Sequence, residues 1–346
     1  SYTLFSNAQL NMAFNVADVN PNNNIFRLVT QQWTQTTYTD ESNYDLVTRA
    51  IPDSWWGTLY RDCLRDFDEA KKLIPIDVAD EAVQKNQVAI TDINQVYVYY
   101  LLVNTFGDIP YSNALKSEIL FPSYDDAQTV FYDLLSRLDA DMAALDVSAA
   151  SFNGADLIYN GDVAAWKKFA ASLKLMMGMQ LADSDPAKAK ATVESAYAAA
   201  FTSNADNASM VFLKAPPNTN PVWLNLVQSG RNDFVPASTI VDYLKQFSDP
   251  RLPYYFTTDA DGGYSGGTPG DGNSFGDFSH VSDAQQLPEA PFVILDYAQV
   301  EFALAEAVER GMAVGSTAAD HYNKAITASV ELWGGNATQA AAYLAQ

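Results

Sequence analysis

One cysteine and two histidines stand in 346 residues, and their scarcity closes several routes at once. Cys63 has no second thiol to bridge with, and with His280 and His321 it cannot build a zinc site of the usual spacing. A nucleophilic thiol needs a base and an electropositive setting. Cys63 instead falls on the apolar stripe Trp56, Leu59, Tyr60, Cys63, Leu64, Phe67, which reads as core filling. Cations are scarce as well: 20 Lys and Arg face 42 Asp and Glu, a formal charge of -22. Nucleic acid demands a basic face, and so does an anionic membrane surface, so neither is expected as a partner of the protein body. Long apolar runs are missing too. The longest, Val96 to Val103, is interrupted by tyrosines and far too short to span a bilayer. No secretory leader is recognisable, and an opening of Ser1-Tyr2-Thr3 is expected of a chain already processed or trimmed.

What is present is a globular composition, 48% hydrophobic against 18% charged, with enough length for one large domain or two lobes. Helical period dominates it. Tyr99 to Leu115 is the apolar end of a helix, carrying Ile93, Val96, Tyr97, Tyr100 and Leu101 on one stripe and stopped near Gly107 by Gly-Asp-Ile-Pro. Asn24 to roughly Gln35 is expected as a helix with Phe26, Val29 and Trp33 inward, and Ser54 to Ile74 as the clearest amphipathic rod, closed by Pro75. Ser123 with Asp126 three residues later is a variant capping box for a helix carrying Val130, Phe131, Leu134, Leu135, Leu138, Met142 and Leu145. Asp162 caps the next, with Trp166 inward, and Asp185-Pro186 starts another over 187–201. Shorter helices are predicted near 238–247, from Tyr297 to Gly311, and from Thr317 through Trp333. Long helices with short links make antiparallel pairs, the layout of helical-repeat solenoids.

One region departs from that pattern. Residues 206–291 hold most of the fifteen prolines and a glycine-rich tract, Asp259 to Gly276. Tyr254, Tyr255, Phe256, Tyr264, Phe275 and Phe278 make it too aromatic for a flexible linker. The expected fold class is therefore mainly α: a TPR-like helical-repeat scaffold over about 24–205 and 292–346, with a loop-rich, irregular lobe over about 206–291.

Several segments, in order, resemble those of the SusD-like (RagB/SusD) family of outer-membrane nutrient-binding lipoproteins. They are Trp55-Trp-Gly-Thr-Leu-Tyr-Arg-Asp62, Gly107-Asp-Ile-Pro-Tyr111, Pro122-Ser-Tyr-Asp-Asp126 and Asp156-Leu-Ile-Tyr-Asn-Gly-Asp-Val-Ala-Ala-Trp-Lys-Lys-Phe169. Ser172-Leu-Lys-Leu175, Arg231-Asn-Asp-Phe-Val-Pro236, Asp249-Pro-Arg-Leu-Pro253 and Glu301-Phe-Ala-Leu-Ala-Glu-Ala307 complete the set. The resemblance is closest to the starch-binding, outer-membrane-associated branch. It implies a single domain over 1–346, lacking the lipidated N-terminus and C-terminal tail of its relatives. It also implies a non-catalytic protein that captures a glycan at the cell surface and delivers it to a SusC-like TonB-dependent transporter, with no cofactor and with a lipid anchor as its membrane attachment. Met176 and Gln180 stand where relatives tend to place arginines.

The resemblance carries no fixed ligand motif, so the site is argued from chemistry. A sugar offers an apolar C–H face and a rim of hydroxyls, and its binder needs an exposed ring beside Arg, Asn, Asp or Gln. Rings off the core stripes are Tyr38, Tyr44, Trp55, Trp223, Tyr264 and Phe275, with Asn43, Asp45, Asn225, Arg231 and Asn273 as polar neighbours. Each ring has the alternative of simply anchoring its loop. Trp33, Trp56, Trp166 and Trp333 fall on core stripes. A glycoside hydrolase would need two facing carboxylates, and no acid here stands apart from a solvated helix face. Asp259-Ala-Asp-Gly-Gly263 has a calcium-loop beginning without the later glycine and glutamate, so turn chemistry is expected instead. A peptide-binding helical scaffold is the main competing function.

Overall fold

The computed structural model describes residues 1–346. Its helices are α1 (Tyr2–Ala17), α2 (Phe26–Val29), α3 (Ile51–Gly57), α4 (Arg65–Asp77), α5 (Glu81–Phe106), α6 (Ala127–Ala144) and α7 (Val163–Gln180). They continue with α8 (Pro186–Ala196), α9 (Pro221–Trp223), α10 (Ser238–Gln246), α11 (Leu252–Tyr255), α12 (Tyr297–Glu309), α13 (Ala318–Leu332) and α14 (Ala337–Leu344). The strands are short: β1 (Trp33–Gln35), β2 (Ala208–Met210), β3 (Phe234–Pro236) and β4 (Phe292–Leu295), paired as β1–β3 and β2–β4. The fold is mainly α, and no helix is long and apolar enough to cross a membrane. Two compact units make it up, one of Ser1–Ala13, Trp56–Met210 and Val293–Ala325, the other of Phe14–Trp55, Val211–Phe292 and Ile326–Gln346.

In the first unit α4 to α8 pack each on the next in sequence, and α12 returns onto α7, a TPR-like helical repeat. Local chemistry sets the helix ends. Asp162 accepts the Ala164 and Ala165 amides at the start of α7, and Asp185 accepts the Lys188 amide ahead of Pro186. Helix α5 ends where Gly107 turns to φ +75°, a region that an L side chain enters only at a cost. Ile109 then bridges Asp125, whose carboxylate collects the Tyr111 and Ser112 amides. Asp125 is thereby held in the bridge, so α6 begins two residues later, at Ala127, capped by Asp126 on the Thr129 amide and not by Ser123. Gln180 donates to Asn104 Oδ1 at 3.1 Å.

The rod around Trp56 departs from expectation in its register. A π-helical turn over Thr58–Leu64 joins α3 to α4. Its wider turn keeps residues four apart on one face, so Ile51, Trp55, Leu59, Cys63 and Phe67 are all buried. Trp55 is therefore the buried indole at 4% exposure, and Trp56 is half-buried, the reverse of the α-helical stripe. Pro75 sits inside α4, two residues before its end, and does not close it, although its missing N–H costs the helix one i→i−4 bond. Cys63 is fully buried, and burial foremost pushes its thiol far up, which leaves it a packing group.

In the second unit the predicted helix over 24–35 is broken. The single turn of α2 ends at Val29, Gln31 swings to φ +54°, and Trp33–Gln35 crosses to β3 with Trp33 opposite Pro236 and Gln35 opposite Phe234. Leu28 and Trp33 face the core, while Phe26 is exposed. Around this ladder pack Val19, Val222, Val241, Leu244, Leu252, Phe256 and Val281, with Tyr255 and Tyr264 at the edge. The glycine-rich tract is stitched onto the ladder: Gly267 donates to Pro236 O, Ser238 donates to Gly267 O, and the Asn273 amide reaches Gln35 O, Thr268 O and Asp271 O. Gly270, at φ +83°, meets Asn43 so closely that a Cβ would lie 2.4 Å from its Oδ1. Trp333, expected in the core, is 38% exposed just past α13, edge-on to Tyr255 at 4.7 Å.

Candidate functional site

Within the second unit a recess of about 80 Å³ opens between the Asn20-Pro21-Asn22 loop, the loop after β1, and the chain entering β3. Asn20, Asn22, Gln35, Thr37, Tyr38, Arg49, Asn225, Arg231, Asp233 and Phe234 are among its lining residues. An enclosed pocket for a whole small molecule usually measures about 300–1,000 Å³. This one takes a single ring or functional group and leaves the rest of a ligand outside.

Each wall is held from behind. The buried Asp18 carboxylate accepts the Val19 and Asn20 amides at 2.8 and 3.0 Å, and the Asn23 and Asn225 side-chain amides at 2.8 and 3.1 Å. Burial, foremost, raises the Asp18 pKa, and those bonds work against it. Its neighbour Arg27 donates to the Ala17 and Asp18 carbonyls, and burial pulls that guanidinium down to about 10. On the opposite wall Gln35 Oε1 accepts from the Ser42 amide and hydroxyl, and Gln35 Nε2 donates to the fully buried Glu41 at 2.7 Å. Arg49 Nε lies 2.7 Å from the other Glu41 oxygen, Arg49 Nη1 donates to Asn22 at 3.3 Å, and its guanidinium carbon stands 5.9 Å from the Tyr38 ring centroid. Arg231 Nε pairs with Asp233 at 2.6 Å. Tyr38 itself is 62% exposed.

The arrangement is thus one open ring, two guanidinium groups and the side-chain amides of Asn20, Asn22 and Asn225 around a shallow hollow, with the Gln35 amide spent inside the wall. Planar donor–acceptor groups on a rigid second layer grip vicinal hydroxyls, and the ring accepts an apolar face.

Of the rings and partners expected from sequence, the recess brings together Tyr38, Arg231 and Asn225. The others lie elsewhere. Tyr44 is 57% exposed, yet its hydroxyl donates to Val29 O and accepts from Gln31. Asn43 spends its amide on Thr39 O and Gly270 O, and Asp45 caps the Val47 amide. Trp55 is sealed against Phe26, edge-on at 5.2 Å, which removes it as a platform. Trp223 is half-buried, Tyr264 packs on the core, Phe275 stacks on His280 at 3.9 Å, and Asn273 is buried in its loop. Asp259 Oδ1 accepts the Asp261 and Gly263 amides, so that stretch is a turn. Asn20, Asn22, Gln35, Arg49 and Asp233 were not singled out from sequence. The Pro21-Asn-Asn-Asn24 run carries turn chemistry and no periodic signal, and Arg49 has no local signal because its partner Glu41 lies across an irregular turn.

A SusD-like family model, described as starch-binding and associating with the outer membrane, matches residues 1–346, and the chain belongs to that family. Among solved structures it superposes on a chitin-binding protein with a TM-score of 0.84 at 24% identity, covering 99% of this chain and 78% of that one. It also superposes on a chitin-binding SusD homolog from Flavobacterium johnsoniae (TM-score 0.83, 24% identity, 99% and 73% covered). A SusD homolog from Bacteroides uniformis aligns with a TM-score of 0.82 at 27% identity, with 100% and 74% covered. No curated protein matches in sequence.

Proposed function

We propose that the protein is a non-catalytic glycan-binding component held at the outer-membrane surface, which seats one sugar residue of an oligosaccharide in the Tyr38 recess and hands the chain to a TonB-dependent transporter. The observation that carries this reading is the convergence of an open tyrosine ring with Arg49, Arg231, Asn20, Asn22 and Asn225. Family membership supports it, since the family is described as starch-binding and associated with the outer membrane. Asp233 is the one carboxylate among the lining residues, and it is tied to Arg231, whereas hydrolysis calls for two carboxyl groups facing across the bond.

Calorimetric titration with malto- and chito-oligosaccharides tests the proposal. The chitin-binding relatives are the reason to include the second series. Tyr38→Ala is expected to weaken binding by about 1–2 kcal/mol, roughly tenfold in Kd, through loss of the ring face. Because the ring is exposed, the melting temperature of the variant should stay close to that of the parent. Unchanged affinity would place the ligand elsewhere. Release of reducing ends from a bound oligosaccharide would overturn the non-catalytic reading.

A further inference from the structure

We propose that the recess is built for uncharged sugars and turns away those bearing uronate, sulfate or phosphate groups; the inference rests on the glycan-binding reading of the same site.

Both guanidinium groups in the recess are already matched. Arg231 is paired with Asp233 at 2.6 Å, and Arg49 with Glu41 at 2.7 Å. Glu41 is fully buried, so an anion that drew Arg49 away would leave a carboxylate stranded out of water. Asp233 lines the hollow itself and would face any anion seated on Arg231. Behind the Asn20 wall the same balance recurs, with Asp18 beside Arg27. The remaining lining groups are the amides of Asn20, Asn22 and Asn225 and the hydroxyls of Thr37 and Tyr38, none of which carries net charge, while the Gln35 amide is spent on Glu41 and Ser42. A matched hollow gains nothing from a ligand charge, and like charges brought together are disfavoured. The rest of the molecule adds to this, because a formal charge of -22 surrounds the site with a negative field that slows the approach of anions.

Arginine in a sugar site usually suggests an acidic ligand. Here each arginine's partner is part of the wall, so the guanidinium edge left over acts as a neutral-site donor to hydroxyl oxygens.

The test compares maltohexaose and hexaacetylchitohexaose, each beside its C6-oxidised polyuronate (for the second, after deacetylation-free oxidation), on the full chain. At about 50 mM salt the uronate is expected to bind at least about tenfold more weakly than its neutral parent, with the gap narrowing as salt rises toward about 0.5 M. Asp233→Asn, which frees Arg231, should raise the ratio of uronate to neutral affinity several-fold. A uronate that binds as tightly as its parent, or an Asp233→Asn ratio that does not move, overturns the inference and leaves the glycan site standing. No binding by either sugar of both pairs, or binding indifferent to Tyr38→Ala, overturns the site reading and this inference with it.

Discussion

Replacing Asp156 by alanine is expected to destabilise the helical unit by about 3–5 kcal/mol, because four buried or half-buried donors lose their acceptor together. Asp156 Oδ1 accepts from Gln9 Nε2 at 3.0 Å and from the Ile158 amide at 3.1 Å, and Oδ2 accepts from the Gly161 amide at 2.9 Å and from Trp166 Nε1 at 2.7 Å. One carboxylate thus fixes α1, the turn before α7 and the largest fully buried side chain of the chain. Gln9 Oε1 in turn accepts from the Leu157 amide at 2.9 Å, so the loss would spread along the same turn. Asp156→Asn keeps the shape but turns an NH₂ toward two donors, and should recover only part of the loss. Amide exchange of α7 measures this directly: protection should fall by orders of magnitude in the alanine variant. A loss below about 1 kcal/mol would mean that the hub is ornamental.

The second large effect concerns the carboxylates between α4, α5 and α6. Arg137 forks onto Asp92 at 2.8 and 2.9 Å, and Lys71 Nζ reaches the same group at 2.5 Å. Burial pushes the Asp92 carboxyl up, but its bonds and attraction to Arg137 and Lys71 outweigh that and hold it below the usual carboxylate range. Asp141, beside it, goes the other way: burial foremost, then the Asp92 charge, raises its pKa well above the ordinary value. The pair therefore shares one proton at neutral pH.

The two signs differ. Above the unfolded pKa of an aspartate the folded Asp141 still holds a proton that the unfolded chain has lost, so stability falls as pH rises toward the folded pKa of Asp141. Asp92 contributes stability above the unfolded value, lost as pH falls through its own lowered pKa. Asp141→Asn mimics the protonated acid without its titration, and should flatten the alkaline decline and raise stability near pH 8–9 by about 1–3 kcal/mol. Asp92→Ala strands Arg137 and Lys71 and should cost about 3–5 kcal/mol at neutral pH. Urea unfolding followed from pH 5 to 9 reads both. A wild-type curve that rises with pH across that window would contradict the shared proton.

Much of the scaffold was legible because its signals are local. Asp162, Asp185 with Pro186, Gly107 and Gly311 act within a turn of where they stand, and the chain ends its helices there. What failed depends on distance. Trp33–Gln35 looks helical by spacing but is claimed by Phe234–Pro236, some two hundred residues on, and no local period carries that pairing. Trp55 and Trp56 exchanged places because a single wide turn shifts every position upstream of it. Helix α1 shows no clean stripe, because its buried face is Phe5, Ala8, Gln9, Met12 and Ala13 while Leu4, Leu10 and Phe14 lie half-buried off it.

The recess was legible only in outline. Composition identifies which rings lie off the stripes, and Tyr38 is one. It does not say which will be consumed by their own loops, as Tyr44 is by Val29 and Phe275 by His280. Asn22 and Arg49 enter the site through a contact between two irregular segments, and such contacts exist only once the β1–β3 ladder has drawn the loops together.

The most direct measurement is a crystal structure of the protein with its tightest-binding neutral oligosaccharide. One sugar ring is expected to lie on Tyr38, its hydroxyls within hydrogen-bond distance of Arg231, Asn22 and Asn225. Sugar density away from this hollow, with Tyr38 left facing solvent, would contradict it.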